Sequence, residues 1–166
     1  ANPHMQLEQV RFISHSAVHY LALQASIVRE TARDRFITTN GIFGNLDYQK
    51  LMESGVDFIM YDSYPNFAYA MDRPDGGEGD LKDRNSSFNL ARTRAISPLF
   101  GIMEQQAGPG GWNFRIHQAS PKPGQLRLWT MQSVAHGADF VSFFRWRTCS
   151  FGTESVSYTH LRAHET

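Results

Sequence analysis

The residues of this chain best suited to chemistry lie in one segment, Leu99-Phe-Gly-Ile-Met-Glu-Gln-Gln-Ala-Gly-Pro-Gly-Gly-Trp112. A short apolar run, Leu99 to Met103, delivers one carboxylate, Glu104, to its end. Two amides follow, Gln105 and Gln106, then a turn rich in glycine and proline, then the indole of Trp112. A strand that ends in a carboxylate beside an indole is how an α/β barrel builds a sugar-cleaving site. Taken alone, Glu104 fits equally well as a strand-end carboxylate paired with an arginine, since structural ion pairs occupy such positions too.

Such a carboxylate needs elements to hold it. Leu7, Val10, Ile13, Ala17, Leu21 and Val28 recur at three-, four- and seven-residue steps, which predicts an amphipathic helix over Met5 to Arg33 with those residues on its inner face. Arg35 to Asn40 is β-branched and aromatic and ends at Gly41, a strand. A short helix follows from Asn45 to Ser54, with Asn45 as N-cap and Gly55 as the stop. Val56 to Tyr61 is a second strand, and Asp62 to Pro65 a loop. Residues 72 to 87, dense in Gly, Asp, Pro and Ser, read as a long excursion. A helix starting at Ser86 or Ser87 ends before Pro98. Leu99 to Met103 is the third strand. A helix over Pro123 to Ala135, stopped by Gly137, leads to the fourth strand, Ala138 to Phe144.

Helices alternating with short apolar strands at this spacing imply parallel strands with crossover helices outside. A complete (β/α)8 barrel takes about 250 residues, so four strands amount to half of one. The predicted fold is therefore α/β, a partial TIM barrel of about four parallel strands with outer helices. The alternative is a small open doubly wound sheet; Thr39-Asn-Gly-Ile-Phe-Gly44 is not the glycine-rich phosphate fingerprint, which counts against nucleotide binding. In a parallel barrel all strand ends open on one face, which would gather Asn40, Asp62, Tyr64, Glu104, Arg145, Trp146 and Arg147.

These residues carry a resemblance. Thr38-Thr-Asn40, Tyr61-Asp-Ser-Tyr-Pro65, Met103-Glu-Gln-Gln106 with Trp112-Asn113, Pro121-Lys-Pro-Gly-Gln-Leu-Arg127, Gly137-Ala-Asp139 and Phe144-Arg-Trp-Arg147, in that order, resemble the catalytic domain of family 42 glycoside hydrolases. The similarity runs from about Met5 to Glu154. The resemblance implies a retaining β-galactosidase acting on terminal, non-reducing β-D-galactosyl residues; in this chain no cofactor and no metal are expected. It places Glu104 as the nucleophile at the end of the seventh barrel strand. The Gln105 amide, backbone amides or an arginine could keep that carboxylate ionised. It implies sugar contacts for Trp112, whose indole suits the C–H face of galactose, and for Glu154. Asp62, Tyr64 and Asn40 would shape the substrate pocket, though turn and capping roles fit them as well. Arg145 and Arg147 fit a salt bridge at the barrel mouth.

The chain also departs from that family. A retaining glycosidase needs a second carboxyl about 5–5.5 Å from the nucleophile. The resemblance implies that it comes from a glutamate directly after an asparagine on the fourth strand, and no Asn-Glu pair occurs here. The family's cysteine-rich metal site is likewise absent. The chain is therefore expected to hold half of the catalytic pair and to be inactive alone. Two other readings stay open: a non-catalytic carbohydrate-binding or scaffold segment, and a related barrel glycosidase such as an α-L-arabinopyranosidase.

Domain organisation is read as residues 1–154, the second half of a catalytic barrel, and 155–166, a non-native tail that resembles translated adapter read-through. His160 and His164 within that tail lack the order H-E-x-x-H, and His15 and His19 read as ordinary polar groups of a helix.

Composition narrows the partners. The chain has 166 residues, with 16 basic and 16 acidic side chains and no net charge, so nothing electrostatic favours nucleic acid or an anionic membrane. No apolar run approaches the roughly 20 residues of a membrane span. One cysteine, Cys149, fits a reducing compartment and a cytoplasmic location. The expected partner is a β-galactoside, and the parent protein is expected to be a homo-oligomer.

Overall fold

The computed structural model describes residues 2–41, 44–65, 82–108, 121–145 and 151–152, the side chains of 82–85 excepted. The elements are α1 (Pro3–Thr31), β1 (Thr38–Gly41), α2 (Tyr48–Glu53), β2 (Phe58–Ser63), α3 (Lys82–Ile96), β3 (Gly101–Gln106), α4 (Gln125–Ala135) and β4 (Phe140–Phe144). The strands form one sheet in the order β1-β2-β3-β4, and every pairing is parallel. This is the partial barrel that the alternation of elements predicts.

The helices cover one face of the sheet. Ala25 of α1 and Leu51 of α2 pack with Ile37, Val56 and Ile59, while Leu90 of α3 packs with Tyr61, Phe100 and Ile102. The other face carries Phe58 and Phe140, whose rings meet edge to face at 6.4 Å. Gly101 of β3 lies between their strands and faces the Phe140 ring, so a side chain there would collide with it.

Several boundaries differ from expectation. The buried positions of α1 are Ser14 and Ala25, with Val18 and Leu21 partly buried beside them, whereas Leu7, Ile13 and Val28 are exposed. Small residues let α1 approach the sheet, so size and not hydropathy alone selects the contact face. The cap of α2 is Asp47, whose carboxylate accepts from the Lys50 N–H, while Asn45 sits at φ 63° in the preceding turn. Helix α3 starts at Lys82, ahead of the expected Ser86 or Ser87; its polar first turn carries no apolar period that would mark it in the sequence. Strand β2 continues through Asp62 to Ser63, and β3 continues through Glu104 to Gln106; in both, the polar end residues are held by the ladder of the neighbouring strand.

The base of the sheet is built twice in the same way. Gly55 and Gly137 each end a helix at positive φ, at 102° and 89°. Two residues on, Asp57 and Asp139 precede β2 and β4. The Asp57 carboxylate accepts from the Ile37 N–H at 2.7 Å and from Arg29 at 2.9 Å, and the Asp57 N–H donates back to Ile37. The Asp139 carboxylate accepts from the Phe100 N–H at 2.9 Å, with Arg94 at 3.7 Å, and the Asp139 N–H donates back to Phe100. Each aspartate thus clips a strand to its neighbour and to the helix outside. The two hydrogen bonds to Asp57 favour its charged form and hold its carboxyl below the usual value of 3.8.

Candidate active site

Register decides what reaches the mouth of the sheet. Side chains alternate along a strand, and paired residues of neighbouring strands share a face. Tyr61 pairs with Ile102, but Asp62 pairs with Glu104, so Met103 is an extra residue in β3. The pairing with β4 shifts at the same place, between Ile102 and Gln105. Such a bulge re-aims whatever follows it. Ile102 faces the helices, and strict alternation would send Glu104 the same way. The bulge turns Glu104 to the open face instead, beside Asp62, and returns Gln105 to the helices.

Hydrogen bonds agree with this register. The Tyr64 hydroxyl donates to Glu104 Oε2 at 2.8 Å, and Asn40 Nδ2 donates to Asp62 Oδ2 at 2.8 Å. Gln105 is fully buried on the opposite face, where its Oε1 accepts from Ser133 of α4 at 3.3 Å and its Nε2 donates to the Ser63 carbonyl at 3.4 Å. Of the donors expected for Glu104 (the Gln105 amide, backbone amides or an arginine), the Gln105 amide is corrected: it lies across the sheet, and the Tyr64 hydroxyl donates to Glu104. Gln106, also buried, donates to the Gly108 carbonyl at 2.7 Å and ties down the exit of β3.

Asp62 is less well served. Its Oδ1 is buried and has no partner among the described residues. Burial pushes its carboxyl from 3.8 up to about 6; the Asn40 bond opposes that shift, and the negative charge of Glu104 adds to it. The structure therefore brings Asn40, Asp62, Tyr64 and Glu104 together at the mouth. Arg145, just past β4, holds its guanidinium 5.3 Å from the centre of the Phe144 ring. Trp112, Trp146, Arg147, Glu154, His160 and His164 lie outside the described residues. His15 and His19 stack on α1 with ring centroids 6.3 Å apart, and among the described residues no group of three or more potential ligands could hold a metal ion.

Sequence reading missed Met103, whose effect is purely one of register and leaves no compositional trace. It also missed the paired clips at Asp57 and Asp139, which the repeated pattern helix-Gly-x-Asp-strand could have revealed.

A parallel half-barrel with an oriented carboxylate at its strand ends is the architecture of the barrel glycosidases. Residues 1–166 match the family description of the β-galactosidases of glycoside hydrolase family 42. The chain is 37% identical over 167 residues to the β-galactosidase BgaA of Thermus sp, covering 93% of this chain and 25% of that one. It is also 37% identical over 162 residues to the β-galactosidase Bga of Halorubrum lacusprofundi, with 92% and 22% covered. The solved β-galactosidase of the psychrophilic Marinomonas ef1 superposes with a TM-score of 0.78 at 33% identity, over 95% of this chain and 25% of that one. The chain belongs to glycoside hydrolase family 42, and it spans about a quarter of the length of the curated relatives it matches.

Proposed function

We propose that this chain is the nucleophile-bearing half of a retaining β-galactosidase barrel. In this reading Glu104 attacks the anomeric carbon of a terminal β-D-galactosyl residue, the bond to the aglycone oxygen breaks, and a covalent galactosyl-enzyme forms that water then hydrolyses. Tyr64 fixes the Glu104 carboxylate by its hydroxyl, while Asn40 and Asp62 form the floor beside it. Trp112 stacks on the galactose ring, and Glu154 accepts a sugar hydroxyl. The carboxyl that protonates the leaving oxygen belongs to the other half of the barrel, so the chain alone turns nothing over. Residues 155–166 take no part.

The observation that carries this reading is the tyrosine-held carboxylate of Glu104 at the parallel strand mouth. The test grafts residues 5–154 into the corresponding segment of the Thermus β-galactosidase and assays a nitrophenyl β-galactoside. Glu104→Gln should lower the rate by several orders of magnitude, and azide should restore turnover to Glu104→Gly. The ungrafted chain should show no turnover. A graft that keeps its activity after Glu104→Gln would overturn the assignment.

A further inference from the structure

The mouth holds two carboxyls where the proposed chemistry uses one. Asp62 and Glu104 are register partners on neighbouring strands and share the open face. Carboxylates placed side by side resist ionising together, and the better-solvated or better-donated one keeps the charge. Here the donors are divided unequally. Among the described residues, Tyr64 gives its hydroxyl to Glu104, whereas Asp62 receives the Asn40 amide alone and its buried Oδ1 has no partner. A carboxylate with one oxygen so placed is costly, and a neutral carboxyl costs far less.

We propose that Asp62, clamped by Asn40, is a positioning residue that acts through Glu104: it takes up the proton the mouth acquires as pH falls, so that Glu104 remains the anion. This rests on Glu104 being the nucleophile, and it gives Asp62 a task other than touching the sugar. Among the described residues, the groups acting on Asp62 are Asn40 from β1 and Glu104 from β3. Just past β2, Tyr64 turns its hydroxyl to Glu104, and just past β4, Arg145 lies over the Phe144 ring. Burial and the Glu104 charge both raise the Asp62 carboxyl, to about 6, and Asn40 restrains it. Protonation of Asp62 removes one of two like charges from the mouth and leaves the Tyr64–Glu104 bond in place.

The test is a carbon-13 titration of the whole chain, with Asp and Glu side-chain carboxyls labelled and assigned by Asp62→Asn and Glu104→Gln. The Asp62 signal should titrate near pH 6. The Glu104 signal should show an inflection at that same midpoint, and Asp62→Asn should abolish it while the amide spectrum stays dispersed. Asn40→Ala should move the Asp62 midpoint upward, since the Asn40 bond favours the charged form. Should Asp62→Asn fail to fold, the Asn40→Ala titration decides alone. Titration of Asp62 at 3.8, a Glu104 signal blind to the Asp62 midpoint, or an Asp62 midpoint unmoved in Asn40→Ala overturns the proposal. The two assignments fail separately. Loss of coupling with Glu104 still essential in the graft removes only this role for Asp62, whereas intact coupling with a dispensable Glu104 removes the nucleophile.

Discussion

The two ends of β2 treat the same side chain in opposite ways. At the base, Asp57 receives a backbone N–H and a guanidinium, and its carboxyl is held below 3.8. At the mouth, Asp62 receives one amide and buries an oxygen that has no donor among the described residues, and its carboxyl rises to about 6. The base is moreover built in duplicate, by Asp57 with Arg29 and by Asp139 with Arg94, whereas the mouth pairs a carboxylate with a second carboxyl. The contrast shows where this half-barrel keeps its stability and where it gives some up. Among the described residues, the base gives each aspartate a backbone N–H and an arginine, whereas the mouth leaves one buried Asp62 oxygen without a partner.

That contrast can be broken. The largest effect is expected from Asp57→Ala and Asp139→Ala, each of which strips a backbone N–H of its acceptor and an arginine of its carboxylate partner. Each should lower stability in urea unfolding by about 1–3 kcal/mol. The two clips share no partner, so the double variant should lose the sum to within about 0.5 kcal/mol. A substitution that leaves the urea midpoint unmoved would mean that the base is not clipped as described.

At the mouth the sign should reverse. Asp62→Asn keeps the size and the link to Asn40 but removes the buried charge, so at pH 7.5 it should raise stability by about 0.5–2 kcal/mol. A loss of stability there would make Asp62 a structural partner like Asp57.

The smallest effect sharpens the comparison through pH. The Asp57 carboxyl is lowered, so its contribution is present above 3.8 and disappears as pH falls through its folded value. The Asp62 carboxyl is raised, so the folded state binds its proton more tightly; its contribution is full below 3.8 and is lost as pH climbs through about 6. Unfolding followed from pH 3 to 8 should therefore show an acid-side loss that Asp57→Asn removes and a decline from pH 4 to 7 that Asp62→Asn flattens. The same slope in both variants would show that these two groups do not set the profile.

Much of the architecture was legible beforehand because it rests on periodicity and punctuation. The stops at Gly55 and Gly137, the apolar strands and their alternation with helices gave the element order and the parallel sheet. Boundaries slipped where polar residues belong to strands, as at Asp62 and Glu104, since those residues are held by ladder pairing with neighbours distant in sequence. The buried stripe of α1 slipped because close packing favours Ser14 and Ala25 over the larger residues of the predicted face.

The order of residues by itself determined that Asn40, Asp62, Tyr64 and Glu104 come at or next to the ends of strands, because local pattern sets where strands run and parallel topology sends their ends to one side. Only tertiary structure decided which way Glu104 turns, which carboxyl Tyr64 serves and which has a buried oxygen without a donor among the described residues. Those outcomes depend on one extra residue in the register of β3 against β2 and β4, and register is a property of the paired strands and not of any one of them.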